Sequence, residues 1–250
     1  MMSKLLTGKV ALVTGGSRGL GAATAKALAE QGAHVAISYV QAAQKAAQVL
    51  EHIEACGVRG AAFQADQGDV DAVQALIDSV MAEFGRIDIL VTNASIDQLG
   101  AVDDEQRDTG AFDRFWKVAF SGYMATVRAA SKVLSDQGRI IMINSSLGQR
   151  VGVQGLSDIA ALRGAIDGFS QGVARDLAGR DITVNVVHAG FMKTDINAGA
   201  RDALAPLIER LCFPRFGRLE EVVAPILFLA SPAASYITAA VIDADGGYNA

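Results

Sequence analysis

The chain has 250 residues, 51% of them hydrophobic and 20% charged, with a formal net charge of -5 and a pI near 5.2. That composition is ample for a large buried core and argues against disorder, and without a dense Lys/Arg run it makes poor partners of nucleic acid and anionic membranes. The longest apolar stretches, such as IDILV and RIIMI, are strand-sized and too short to span a bilayer.

In chain order, MMSKLLTGKV runs into the first strand without an h-region or cleavage site, as expected of a cytoplasmic protein. KVALVTGG is a strand and GAATAKALAEQG a helix; HVAISYV is the second strand, followed by the helical AQKAAQVLEHIEACG. GAAFQAD precedes the helix VDAVQALIDSVMAEFG, and IDILVTNAS precedes a long helix around FDRFWKVAFSGYMATVRAASKVL. RIIMINSS leads into DIAALRGAIDGFSQGVARDLAG, and ITVNVVHAG and AAVIDADGG add two more strands. Each helix is expected to end at or near a glycine, as a left-handed C-cap requires. Strands apolar on both faces and separated by helices indicate a parallel sheet covered on both sides. The expected fold is one α/β domain over residues 1–250, a Rossmann-type doubly wound parallel sheet of about seven strands. Cys56 and Cys212 lack CxxC or His-paired spacing and read as packing residues in a reducing cytoplasm. His34, His52 and His188 are scattered, so no metal site is expected.

VTGGSRGLGAATA follows the first strand and opens the first helix, with Gly15, Gly19 and Gly21 in a G-x-x-x-G-x-G spacing. Glycine lets the backbone turn tightly and approach a pyrophosphate, whose charge sits on the unpaired N–H groups of the helix N-terminus. An NAD site wants Asp or Glu at the end of the second strand, to accept from the ribose 2′-hydroxyl. Here that end reads HVAISYVQAAQ, with Ser38 and Tyr39 and no acid before Glu51. Arg18 in the glycine loop can meet a 2′-phosphate in bidentate fashion, which favours NADP(H).

These residues, in this order, resemble the short-chain dehydrogenase/reductase family over nearly the whole chain. TGGSRGLG matches its TGxxxGxG loop, and LVTNAS sits at its NNAG, with Asn93 kept but Thr92 and Ser95 departing. NSS ends the fifth strand, where the family places its catalytic serine, and VNVVHAGFMKTD is similar to its PG…T segment, with Ala189 in place of proline. FPRFGRLEEVVAPILFLASPAASYITAAVIDADGG is very like the C-terminal third of the 3-oxoacyl-acyl-carrier-protein reductases, which are commonly homotetramers acting on acyl-type substrates. The resemblance implies dinucleotide contacts from Gly15, Ser17, Arg18, Gly19, Leu20 and Gly21, and from Ser38 at the end of the second strand. It further implies Asp66 at the adenine, Asn93 and Ala94 at the ribose side, and Gly190 and Thr194 at the nicotinamide side.

Members of this family reduce carbonyls with a tyrosine that donates a proton, a lysine one turn later, a polarising serine and an asparagine in the preceding long helix. Hydride arriving at a carbonyl carbon leaves an alkoxide, which needs a proton and a donor nearby. Counting the family's interval from Ser146 lands on Ile159, with Arg163 at the lysine position and Ala119 at the asparagine position. Isoleucine has no proton to give; Arg163 can donate to a ribose but stays protonated and cannot shuttle. Ser146 and Arg163 are the catalytic candidates that remain. Substitute donors are Asp158, which also reads as a helix-start charge, Tyr123, also a packing tyrosine, and His188 on the nicotinamide rim. Three functions fit: an NADP(H) oxidoreductase of atypical mechanism acting on a small molecule such as an activated alkene or imine, a silent cofactor-binding subunit or sensor, or a non-redox enzyme reusing the pocket. The first is favoured, because Ser146, Asn93 and Thr194 still line up around the nicotinamide. INAGARDALAPLIERLCF, which would cover the substrate, is too generic to read.

Overall fold

Among residues 4–194 and 201–250, which a computed structural model describes, seven apolar runs form one parallel sheet. The strands are β1 (Val10–Val13), β2 (His34–Tyr39), β3 (Gly60–Gln64), β4 (Ile87–Thr92), β5 (Leu134–Asn144), β6 (Thr183–Ala189) and β7 (Val241–Ala244). Their order is β3-β2-β1-β4-β5-β6-β7, so the chain reverses direction across the sheet between β1 and β4. Helices α1 (Gly19–Glu30), α2 (Ala43–Ala55) and α8 (Leu219–Ala230) cover one face. Helices α3 (Val70–Phe84), α4 (Thr109–Trp116), α5 (Tyr123–Ser131) and α6 (Ser157–Leu177) cover the other. The expected doubly wound α/β architecture is the one found, and no described helix is long and apolar enough to cross a membrane.

Strand β1 shows why the sheet is covered twice. Val10 and Leu12 pack among α3, α5 and α6, while Ala11 and Val13 pack among α1 and α8. Side chains alternate along a strand, so apolar residues at every position demand a layer on each face. Burying each Val or Leu is worth about 1.5–3 kcal/mol.

Local signals set most of the helix ends. Asp69 caps α3 by accepting from the N–H groups of Asp71 and Ala72, and Gly85 closes it with φ 76°. The rule that every helix ends near glycine fails at α5, which stops at Ser131 and turns directly into β5. A left-handed residue stands instead within β5, at Gln137 (φ 61°), whose carbonyl accepts from Arg139 Nη1 at 2.7 Å. The expected long helix is also interrupted, by a π-helical turn over Lys117–Gly122. Such a turn displaces carbonyls from the α ladder, and here Val118 O accepts from Gln67 Nε2 at 2.9 Å. Cys56 is half-buried against the core, but Cys212 is exposed rather than packed.

Segment α7 (Arg201–Ile208) lies between β6 and α8 in the chain, and its Leu207 and Ile208 pack with Leu211 and Tyr248. Residues 195–200, which include the start of the stretch expected to cover the substrate, lie outside the described residues.

Candidate active site

The crevice where the strand order reverses is built by β1 and β4. Thr14 Oγ1 accepts from the N–H groups of Asn93 and Ala94, each at 3.0 Å. Asn93 Nδ2 donates back to Thr14 O at 3.0 Å and Gly15 O at 3.3 Å. Asn93 therefore clamps the glycine loop to the end of β4, and Ala94 holds it through its backbone. Gly15 adopts φ 65°, and a Cβ there would lie 3.0 Å from Ala94 Cα; one on Gly21 would lie 2.4 Å from Gly15 O. Both sites admit only a bare backbone, which leaves the surface a pyrophosphate can approach. Gly19 (φ 55°) starts α1, and Arg18 at its N-cap makes no side-chain cap, so the helix N-terminus is open to an anion. Ser17 and Leu20 are buried beneath this turn. Thr194 is half-buried, with Cγ2 3.9 Å from where a Cβ on Gly19 would stand, which brings the segment after β6 beside the loop.

At the end of β2, Ser38 is buried and its Oγ accepts from Gly15 N–H at 3.2 Å, so this hydroxyl orients the loop. Arg18 is exposed and pairs with no carboxylate among the described residues. Asp66, expected at the adenine, accepts from Gly68 N–H at 2.8 Å, and both its oxygens accept from Arg114 Nη2 at 2.7 Å. The hydrogen bond from Arg114 outweighs partial burial and holds this carboxyl below its usual range. Nothing in the sequence marks Arg114, which lies 48 residues away. These groups fit a dinucleotide: a bare-backbone cradle, an open helix N-terminus and an exposed cation in the loop that Ser38, at the acid-free end of β2, holds.

The three positions expected to carry proton transfer, at Ile159, Arg163 and Ala119, are all buried. Ile159 is 2% exposed and Ala119 is fully buried, both in the apolar core of α3 to α6. Arg163 is buried; its Nη2 donates to Asp97 at 2.8 Å and Ser95 Oγ at 3.3 Å, and its Nε meets no partner among the described residues. The substitute donors are engaged as well. Asp158 accepts from Arg107 Nη2 at 2.9 Å and Trp116 Nε1 at 3.3 Å. The hydrogen bond from Arg107 lowers its pKa against some desolvation, so it has no proton to give near neutrality. Tyr123 donates to the carbonyls of Ile143 at 2.9 Å and Thr92 at 3.1 Å, joining β4 to β5, and burial pushes its pKa up.

His188 does not stand free on a rim. It is wholly buried, with Nδ1 2.7 Å from Asp243 and Nε2 3.0 Å from Asp167, which also accepts from Asn144. Burial disfavours the imidazolium, but the two carboxylates outweigh it and raise the pKa above its ordinary value. The side chain so held joins α6, β6 and β7.

Ser146 is 2% exposed and donates to Asp245 Oδ2 at 2.6 Å, so its proton is committed. Asp245 Oδ1 accepts from the N–H groups of Gly247 and Tyr248. The same aspartate abuts Gly190, where a Cβ would lie 2.4 Å from Asp245 Cα. Ser145 is half-buried; its oxygen caps the turn by accepting from Leu147 N–H, and its proton meets no acceptor among the described residues. Two serines follow one another in NSS, and successive side chains leave a strand end in opposite directions. That alternation separates the two hydroxyls, one committed to Asp245 and the other left half-buried.

Residues 15–249 match the family model described as enoyl-(acyl carrier protein) reductase. A 3-oxoacyl-[acyl-carrier-protein] reductase of Synechocystis sp. is 38% identical over 97% of each chain. A short chain dehydrogenase from Burkholderia cenocepacia J2315, solved in complex with NADP, is 41% identical with TM-score 0.93, covering 98% of this chain and 100% of that one. A blue fluorescent protein from a metagenomic library, solved in complex with NADPH, is 37% identical with TM-score 0.94 at the same coverage.

Proposed function

Because the chain belongs to the short-chain dehydrogenase/reductase family, we propose that it is an NADP(H)-dependent oxidoreductase that works without the usual tyrosine, lysine and asparagine. The observation that carries this reading is the intact nucleotide crevice: Asn93 clamps Gly15, α1 presents an open N-terminus, and the exposed Arg18 pairs with no carboxylate among the described residues. The complexes of two relatives with NADP and NADPH support the choice of dinucleotide.

Gly15, Ser17, Gly19, Leu20 and Gly21 hold the diphosphate through their backbone, with Ser38 fixing the loop from below. Arg18 takes the 2′-phosphate, Asp66 the adenine, Asn93 and Ala94 the ribose side, and Gly190 and Thr194 the nicotinamide side. The bound cofactor supplies or accepts hydride. Arg163 serves the ribose through the nitrogens that Asp97 leaves free. Ser145 polarises the substrate, and Ser146 positions the turn after β7. Suitable substrates need no phenolic acid, as with an activated alkene or an imine.

A second reading, a silent cofactor-binding subunit or sensor, is favoured by the commitment of Asp158, Tyr123 and His188 to protein partners. NADPH titration followed by turnover on carbonyl, alkene and imine panels separates the two. Binding with turnover supports the enzyme, binding without turnover the sensor, and no binding refutes both. We further propose a homotetramer, because β7 is an edge strand and Phe228 on α8 is 44% exposed.

A further inference from the structure

We propose that Arg114 is a positioning residue for the base of the dinucleotide: it holds the Asp66 carboxylate so that a free lone pair accepts from the 6-amino group of adenine. The site then selects a 6-aminopurine cofactor over a 6-oxopurine one. The inference rests on the NADP(H) reading, in which Asp66 takes the adenine, and names the residue and the chemistry by which that base is chosen.

Asp66 stands on the rim of the nucleotide crevice. Just before it, Ala65 N–H donates to Tyr39 O at 2.9 Å and Gln64 Nε2 to Val40 O at 2.8 Å. The end of β3 is thereby tied to the end of β2, the strand whose Ser38 holds Gly15. Just after it, Gln67 Nε2 donates to Ala94 O at 2.8 Å, next to the Asn93 that clamps the glycine loop. Both members of the pair keep a surface that a base can reach, the Arg114 side chain being 45% exposed and that of Asp66 36%.

The carboxylate is aimed but not used up. Oδ1 accepts from Gly68 N–H and from Arg114, whereas Oδ2 accepts from Arg114 alone among the described residues. An ionised carboxylate offers about four acceptor sites, so Oδ2 keeps one for a further N–H donor. Arg114 also keeps the carboxyl ionised. The guanidinium is itself placed by α4, one turn before Val118. It crosses the Gly68 backbone so closely that a Cβ there would lie 2.3 Å from Nη1 and 2.9 Å from Val118 Cγ2. An amino group brought to Oδ2 gains a charge-assisted hydrogen bond, while an oxo group in its place sets oxygen against oxygen.

The test measures binding of NADPH and of its hypoxanthine analogue, in which an oxo group replaces the 6-amino group. Calorimetric titration compares wild type, Arg114→Ala and Arg114→Lys. Wild type should prefer NADPH by about tenfold or more, the value of one hydrogen bond to a charged group. Arg114→Ala should bring the two affinities within about twofold, mainly by weakening NADPH, because the carboxylate is then no longer preorganised and turns to solvent. Both bonds from Arg114 to Asp66 come from the one nitrogen Nη2, so the ammonium of Arg114→Lys should restore most of the preference. Both variants should melt close to wild type, since an ion pair this exposed adds little stability. The inference is overturned if wild type binds the two dinucleotides alike, if Arg114→Ala keeps the wild-type ratio or loses both cofactors equally, or if Arg114→Lys does no better than Arg114→Ala. Wild type that binds neither dinucleotide refutes the NADP(H) reading itself, and the inference falls with it.

Discussion

Ser146 donates its hydroxyl proton to Asp245 over 2.6 Å, joining the end of β5 to the turn after β7, 99 residues away in the chain. The acceptor also binds the backbone N–H groups of Gly247 and Tyr248, so one buried carboxylate organises the whole turn. Removing this donor with Ser146→Ala should cost about 1.5–3 kcal/mol of stability, as for a hydrogen bond to a charged group. Ser145→Ala, which loses only a turn cap, should cost about 1 kcal/mol or less. Urea unfolding of both variants checks this, and the reverse ranking would contradict the division of labour between the serines.

Arg18→Ala should weaken NADPH binding by about 1–3 kcal/mol, the worth of a charge-assisted contact, and barely change NADH. Wild type should bind NADPH more tightly than NADH. Calorimetric titration with both dinucleotides decides it, and equal affinities in wild type would defeat the assignment of Arg18 to the 2′-phosphate.

His188 makes stability depend on pH. Its folded pKa is raised above the ordinary 6.5: burial opposes the cation, but Asp167 and Asp243 more than compensate. The stabilisation from the imidazolium is therefore fully present below the unfolded pKa and is lost as pH rises through the higher folded value. Urea unfolding from mildly acidic to alkaline pH should show the wild-type advantage over His188→Gln shrinking as pH rises. A constant advantage would show that His188 has the same pKa folded and unfolded, and an advantage that grows with pH that burial holds it neutral.

Wild-type protein should show negligible NADPH-dependent reduction of short β-ketoacyl thioesters. The triple variant Ile159→Tyr, Arg163→Lys, Ala119→Asn should gain about 10²–10⁴-fold, the usual worth of general acid catalysis. Because positions 159 and 119 are walled in at 2% and 0% exposure, the larger side chains should also lower stability by about 1–3 kcal/mol each. NADPH consumption and thermal melts read the two effects separately. Brisk ketoreduction by wild type would mean that another donor works.

Light scattering should return a tetramer, and replacing the exposed Phe228 by Lys should yield smaller species. A wild-type monomer at micromolar concentration would rule out the assembly.

Much of this was legible in the sequence, because it depends on local spacing. Apolar runs separated by helical patterns dictate a doubly covered parallel sheet, whatever their long-range partners turn out to be. Gly15, Gly19 and Gly21 follow from the demands of a tight turn against a helix N-terminus, and the proposal that Ile159 stands in place of a tyrosine rests on counting between two well-marked strands. Side-chain commitments were not legible, since each depends on a partner brought near only by packing. His188 reads as an ordinary titrating residue until Asp167 and Asp243 close on it from α6 and β7. Arg163 gives no sign in the sequence that Asp97 takes one of its nitrogens, and nothing in the chain near Tyr248 announces that its hydroxyl meets no partner among the described residues. Periodicity and turn chemistry act over a few residues, and so they can be read along the chain. The direction and partner of a buried polar group are settled by tertiary packing, because burial removes the water that would otherwise satisfy that group in any direction.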